Sequence, residues 1–463
     1  MNPILLSEIQ LMTGAAPLEA DVRVSAICTD TRRMTAQSLF IALRGEKFDG
    51  HEFLAQAAAG GGVAAMIDGQ PRNLPPGLAL LRVADTRTAM GLLARHVRQR
   101  IRGKVIAVAG SNGKTGVKHL IHSVLREDLR GSMSPKSFNN DIGVPLTIFP
   151  ADPHADYLVL EMGTNHPGEI QLLTNIALPD IGVITNCSAE HLEGLGDVEG
   201  VRRENASLIE GLADKGVLIV HGDDPALLEA TNSFTGGRVT FGFSPSNDLW
   251  ASNVRCTAEG TYFTVESRGT DAFVPLLGQH SAVNALAAIA VARAMGLDDD
   301  RIVEQLRRTS GPEMRLQLVD ASGVRVLNDA YNANPASMRA AIRTLAALPT
   351  NGRRIAVVGD MRELGDSSEE CHCEIGTFIA EGFAPDLLVC VGSESKAIVA
   401  AAIRSGMPTN RIEHFPNAAA AAGIAARLRD GDLVLLKASR AIGLEAVARE
   451  IVATRRPPLA AAS

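Results

Sequence analysis

The apolar run Val105–Ala109, ending in Gly110-Ser-Asn-Gly113-Lys114-Thr115, constrains this chain more than any other stretch. A short continuous apolar run reads as a strand buried on both faces, and the glycine turn with the helical Val117–Leu125 behind it completes a strand, phosphate loop and helix. Two more runs end comparably: Tyr157–Leu160 leads into Glu161, and Ile181–Thr185 into the loop bearing His191. In open parallel sheets ligands gather beyond the carboxyl ends of the strands, so these three segments are expected to converge on one nucleotide and metal site. Gly110 and Gly113 allow backbone N–H groups to approach phosphate, Lys114 supplies charge, and Thr115 offers a hydroxyl to magnesium. The strict loop pattern has a further glycine where this chain has Val108.

A chain of 463 residues exceeds what one hydrophobic core serves, and its 46% hydrophobic content supports several cores. A formal charge of -7 leaves no basic footprint for nucleic acid or an anionic membrane. No run reaches the length of a spanning helix, and Met1–Gly14 lacks the basic start of a signal peptide, so no membrane insertion and a cytosolic location are expected. Six cysteines without a dense framework suit a reducing compartment. Cys371-His372-Cys373 has no second ligand pair at zinc spacing and falls in a helical pattern, where core or solvent-facing roles fit better than a metal clip.

The expected fold class is α/β in three domains. Residues 1–100 read as a small α/β unit, with strands at Ser38–Leu43 and Val63–Ile67, helices near Glu52–Ala59 and from Thr86 to about Arg100, and a Gly-Gly-Gly helix stop at 60–62. Residues 101–311 read as a central phosphate-loop domain on a parallel or mixed sheet, adding strands near Val217–His221 and Arg238–Phe241 and the Ala-rich helix His280–Met295. Residues 312–463 read as a Rossmann-like domain, in which strands at Val324–Leu327, Arg354–Val358, Leu387–Val391 and Leu433–Leu436 alternate with helices near Pro335–Leu348 and Glu369–Glu381. The Pro/Ala-rich tail Arg455–Ser463 is expected to fray.

Several segments together carry a resemblance. They are the phosphate loop, Ser137-Phe-Asn139-Asn140-Asp-Ile-Gly143, Glu161-Met-Gly163-Thr-Asn165-His166-Pro-Gly168-Glu169, Glu190-His191-Leu-Glu193, Asn328-Asp329-Ala-Tyr331-Asn332-Ala-Asn334-Pro335 and Gly359-Asp360-Met-Arg-Glu363-Leu-Gly365. This set resembles the Mur ligase superfamily over almost the whole chain, and most of all its branch that joins D-alanyl-D-alanine to UDP-N-acetylmuramoyl-tripeptide. The resemblance implies an ATP- and Mg2+-dependent amide ligase working through an acyl phosphate in peptidoglycan precursor synthesis, acting as a monomer. It places Gly110, Ser111, Asn112, Gly113, Lys114, Thr115 and Gly116 on the phosphates, and Asn284, Arg315, Asp329, Tyr331 and Asn332 on adenine and ribose. Lys114, Glu161 and His191 would carry catalysis, with Thr115, Glu161 and His191 holding metal. Asp30, Thr31, Arg32, Arg44, Gly45, Asp49, His51, Asn139 and Asn140 would bind the muramyl substrate, the N-terminal members gripping its uridine diphosphate. A related ligase with another amino acceptor, or a non-catalytic scaffold that binds the muramyl peptide, stays open at this point.

Two departures stand out. Ala438 replaces the glycine of the family's Lys-Gly-Ser-Arg turn. More seriously, Mur ligases usually carry a carbamylated lysine about fourteen residues after the histidine, bridging the metals. This chain has Asn205 there, and the adjacent Glu204 is turned by about 100° on a helix and makes a poor substitute.

Overall fold

The computed structural model describes residues 3–71 and 73–455, so the tail from residue 456 onward lies outside the described residues. The first sheet is parallel in the order Ala26–Cys28, Ser38–Ile41, Gly62–Ile67 and Ala79–Arg82. Its central strands are apolar and buried on both faces, as a parallel sheet requires. The helix Thr86–Arg98 starts at Asp85, whose carboxylate accepts from Thr88 N at 2.7 Å, and buries Met90, Leu93 and Val97. It also joins this unit to the next: Arg98 is buried and donates to Ala177 O at 2.8 Å and to Asp180 Oδ2 at 2.7 Å.

The second sheet has nine strands, in the order Thr270–Val274, Thr261–Val265, Leu249–Cys256, Gly237–Gly242, Val217–His221, Ile181–Ile184, Lys104–Ala109, Tyr157–Glu161 and Gly131–Met133. It is parallel from Leu249–Cys256 to Gly131–Met133, while Thr261–Val265 and Thr270–Val274 add an antiparallel edge. The sequence reading assigned no strand in that edge, because its alternating, half-exposed residues lack the continuous apolar signal of the interior strands. The helix His280–Ala294 is apolar over most of its surface and packs against both this sheet and the neighbouring phosphate-loop helix Lys114–Leu125.

The third sheet has six strands, in the order Gln317–Ala321, Val324–Asn328, Leu433–Lys437, Arg354–Gly359, Leu387–Val391 and Ile412–Phe415, and only the first pair is antiparallel. Two separate apolar clusters flank it. One takes Met338, Ile342, Ile375 and Ile398 from one layer of helices, and the other takes Ala421, Ile424, Val447 and Ile451 from the opposite layer, which makes the sheet doubly wound. The first cluster also contains Leu192, Leu195 and Val201, so the second and third units share apolar packing. The carboxyl ends of both large sheets open onto one cavity of about 1540 Å³.

Candidate active site

The phosphate loop is held by the strand next to it. Ser111 N donates to Asn186 O at 2.8 Å, Asn112 N to Asn186 Oδ1 at 3.1 Å, and Thr185 Oγ1 to Asn112 O at 2.6 Å. Gly110 and Gly113 have φ of 122° and 85°, and a Cβ on Gly110 would lie 2.2 Å from Thr185 Oγ1, so both positions require glycine. The helix Lys114–Leu125 begins at Gly113 with no side-chain cap, which leaves its first N–H groups free for an anion. Lys114 Nζ folds back onto the carbonyls of Gly110 and Ser111 and lies 3.6 Å from Glu190 Oε1. Gly116 faces Asn284, whose amide also touches Gly113.

Glu161, at the end of its strand, is 1% exposed. Its Oε1 accepts from Thr115 Oγ1 at 3.1 Å and from Asn139 Nδ2 at 3.3 Å, and Gly163 leaves the space that Asn139 fills. Asn140 Oδ1 accepts from Gly143 N at 2.8 Å, just ahead of the helix Gly143–Ile148. Lys118 Nζ pairs with Glu161 Oε2 at 2.8 Å. Burial pushes the Lys118 pKa below the ordinary lysine value, and Glu161 beside it opposes that shift. The sequence reading passed over Lys118; the available signal was a charged residue on the apolar face of a helix, flanked by Val117 and Ile121.

His191 occupies the left-handed region with φ of 50°. Its Nδ1 pairs with Glu363 of the third sheet's loops, while its Nε2 lies 4.0 Å from Glu190 Oε2. Glu190 is buried, and that burial pushes its carboxyl pKa up against the pull of Lys114 and His191. Asn334 Nδ2 reaches Asn112 Oδ1 at 2.9 Å and Glu190 Oε2 at 3.4 Å, bringing the third sheet's domain onto the phosphate loop. Nearby, Tyr331 Oη meets Ser137 Oγ at 2.6 Å, and the Arg315 guanidinium lies 4.3 Å from the centre of the Tyr331 ring. Asp329 accepts from Leu316 N at 3.1 Å and pairs with Lys437 Nζ at 2.6 Å, and Lys437 also donates to Asn332 O at 3.0 Å.

Asn205 is buried and hydrogen-bonded at both ends: Oδ1 accepts from Gly110 N at 2.8 Å, and Nδ2 donates to Val201 O at 2.9 Å. Glu204 points elsewhere. It accepts from Gly168 N and Ile170 N, both at 2.7 Å, and so anchors the start of the helix Glu169–Ala177. Thr115 and Glu161 supply hard oxygen donors on one wall, a set that fits magnesium, which retains waters and takes phosphate oxygens as further ligands. Among the described residues, no three His, Cys, Asp or Glu side chains converge to hold an ion by themselves. In Cys371-His372-Cys373, His372 is buried with both nitrogens engaged, Nε2 accepting from Met361 N at 2.9 Å and Nδ1 donating to Ser368 O at 2.7 Å.

Ser111 to Gly116, Asn139, Asn140, Glu161, His191, Asn284, Arg315, Asp329, Tyr331 and Asn332 all line the one cavity, with Gly110 just behind its wall. The N-terminal candidates do not line it. Arg32 grips Asp30 at 2.7 Å beside Thr31 and holds that carboxyl down at about 2. Asp49 feels burial pushing its pKa up, but hydrogen bonds from His51 and Arg44 outweigh it and hold the group at about 2. Arg44 and His51 also reach Asp68, at 3.0 Å and 3.2 Å, and Gly45 N donates to Phe48 O. The N-terminal unit reaches the cavity through Arg87, which pairs with Asp141 at 3.3 Å and which the sequence reading did not single out.

Residues 108–292 match the Mur ligase middle domain, residues 314–440 the Mur ligase glutamate ligase domain, and residues 23–98 the Mur ligase family catalytic domain. The UDP-N-acetylmuramoyl-tripeptide--D-alanyl-D-alanine ligase of Bacillus subtilis is 37% identical over 451 residues, covering 96% of this chain and 97% of that protein. The Escherichia coli protein of the same name is 37% identical over 465 residues, covering 97% and 99%. A crystal structure of MurF from Acinetobacter baumannii superimposes with a TM-score of 0.88 at 29% identity, covering 98% and 99% of the two chains. MurF from Thermotoga maritima in complex with ADP gives 0.83 at 26% identity, covering 93% and 98%.

Proposed function

We infer that this chain, which belongs to the Mur ligase family, is an ATP-dependent amide ligase that joins D-alanyl-D-alanine to UDP-N-acetylmuramoyl-tripeptide in peptidoglycan precursor synthesis. The observation that carries the reading is the meeting of the phosphate loop, Glu161 and His191 with Tyr331, Asn334 and Glu363 around one cavity. A ligase that activates a carboxylate with ATP and then delivers an amine needs that convergence, because reacting atoms must come within about 3–3.5 Å.

In the first step an oxygen of the tripeptide carboxylate attacks the γ-phosphorus of ATP and ADP leaves. In the second, the dipeptide amine attacks the acyl carbon, phosphate departs, and the amine gives up its proton. Negative charge builds up at one place in both steps, so fixed positive groups should dominate the catalysis. The helix N-terminus at Gly113 and Lys114 receive the phosphates; Asn284, Arg315, Asp329, Tyr331 and Asn332 take the nucleoside. Thr115 and Glu161 would hold Mg2+ and His191, facing the transferring group, would hold a second ion; when bound, these ions neutralise phosphate charge.

The proposed division of labour is sugar nucleotide on residues 1–100, ATP on 101–311 and dipeptide on 312–463. Asp30, Thr31, Arg32, Arg44, Gly45, Asp49 and His51 are the proposed uridine diphosphate grip, and Asn139 and Asn140, which line the cavity, are proposed to bind the same substrate. The chain is proposed to act as a monomer. No helix among the described residues is long and apolar enough to cross a membrane. The proposed setting is the cytoplasm, where ATP is supplied.

The test is phosphate release from ATP with purified UDP-N-acetylmuramoyl-tripeptide, alone and with D-alanyl-D-alanine, D-glutamate or a diamino acid. Sustained turnover only with the dipeptide is expected, and preferential use of a single amino acid would overturn the acceptor assignment.

A further inference from the structure

His191 and Glu363 meet across the boundary between the second and third domains, and both are non-glycine residues in the left-handed region, with φ of 50° and 64°. Neither conformation is favourable for an L residue, and each persists because its surroundings hold it. Glu363 sits in a tethered loop: Met361 N donates to His372 Nε2 at 2.9 Å and Arg362 N to Ser439 Oγ at 2.8 Å. From the other side Glu193 N donates to Glu363 O at 3.2 Å, so the two loops are clasped through backbone as well as side chain.

A carboxylate only accepts hydrogen bonds, so its contact with Nδ1 requires the proton to be on Nδ1. In the neutral ring the lone pair is then on Nε2, which lies 4.0 Å from Glu190 Oε2, beyond hydrogen-bond reach. A free imidazole has no such fixed choice; the partner of one nitrogen decides what the other presents. We propose that Glu363 is a positioning residue acting across the domain boundary: by holding the proton on His191 Nδ1 it presents Nε2 as an acceptor to the reacting end of the cavity. His191 is then correctly set only when the third domain is seated, so activation of the carboxylate is coupled to arrival of the domain proposed to carry the dipeptide. This rests on the reading that His191 faces the transferring group.

The experiment uses the full chain with 15N-labelled histidine, as wild type, Glu363→Ala and Glu363→Gln, with the signal of His191 among eleven histidines identified by its loss in His191→Asn. The wild-type ring should show an Nδ1-protonated pattern, and Glu363→Ala should lose it. Glu363→Gln, whose amide oxygen still accepts a hydrogen bond, should keep the pattern. In parallel, Mn2+ binding in the presence of a non-hydrolysable ATP analogue should weaken about 10- to 100-fold in Glu363→Ala and less in Glu363→Gln. The turnover number should fall with it, while KM for D-alanyl-D-alanine stays within about twofold. Glu363 is 54% exposed, so its replacement opens no core. An unchanged His191 pattern in Glu363→Ala, or a changed pattern with wild-type turnover, overturns the proposal. Wild-type protein that does not ligate would instead sink the ligase reading, whatever the ring spectrum shows.

Discussion

Lys118 Nζ lies 2.8 Å from Glu161 Oε2, and neither side chain is more than 2% exposed. The pair sits directly behind the Thr115 hydroxyl, which holds the other carboxylate oxygen. Removing one member of a buried ion pair leaves the other uncompensated, at a cost of about 3–5 kcal/mol. Lys118→Met should therefore lower unfolding stability by that amount in urea titrations and depress turnover through a displaced Glu161. A variant within about 1 kcal/mol of wild type and fully active would show that the pair has neither role.

Lys114 is the cation at the mouth of the phosphate loop, parked on the Gly110 and Ser111 carbonyls. Lys114→Ala should reduce turnover by about 10³-fold or more, because stabilisation of the transferring phosphoryl group is lost. Calorimetric binding of the UDP-sugar substrate should survive, since the proposed uridine grip lies in the N-terminal domain. A loss of tenfold or less would remove this loop from the chemistry.

Asn205 cannot be carbamylated, so turnover should be indifferent to bicarbonate depletion, and the magnesium requirement should lie higher than in relatives with a lysine there, because a negative ligand is missing. The Asn205 amide is also the partner of Gly110 N–H. Asn205→Ala should cost about 1–3 kcal/mol of stability, since that buried donor is left unpaired. Asn205→Lys removes the same bond, and any bicarbonate dependence it gains should come with a weakened phosphate loop. Bicarbonate-dependent wild-type activity would place a carbamylated lysine elsewhere.

Tyr331 to Ser137 and Asn334 to Asn112 are hydrogen bonds between the second and third domains. At about 1 kcal/mol each, their joint loss in Tyr331→Phe with Asn334→Ala should shift the closure equilibrium by about 2 kcal/mol. Small-angle scattering should then show an expanded free protein that contracts on adding substrates and an ATP analogue, with KM for the dipeptide raised about tenfold or more. Superimposable profiles for wild type and variant, with equal kinetics, would mean that the shared apolar cluster around Leu192 and Leu195 holds the domains unaided.

Strand, glycine turn and helix in Lys104–Leu125 were legible because all their determinants are local: continuous apolar burial, positive φ at Gly110 and Gly113, and a helix opening without a side-chain cap. The strands leading into Glu161 and the His191 loop were legible for the same reason, whereas the segment bearing Tyr331 was singled out through its resemblance to the Mur ligase family. Leu249–Cys256 and the antiparallel edge Thr261–Val274 were not legible, since their residues alternate between buried and more exposed positions and owe their conformation to pairing with neighbouring strands. Nor could local pattern show what each side chain meets. Lys118 is one lysine on an amphipathic helix until the sheet brings Glu161 to it. Glu363 stands 172 residues from His191, in a different domain, and no periodicity connects them. The sequence determined which chemical groups are present and which short elements carry them, because propensity and burial act over a few residues. Only the tertiary structure decided that Asn205 secures Gly110, that Glu204 anchors a helix, and that His191 takes its orientation from the third domain, because hydrogen bonds and ion pairs are settled by proximity in space.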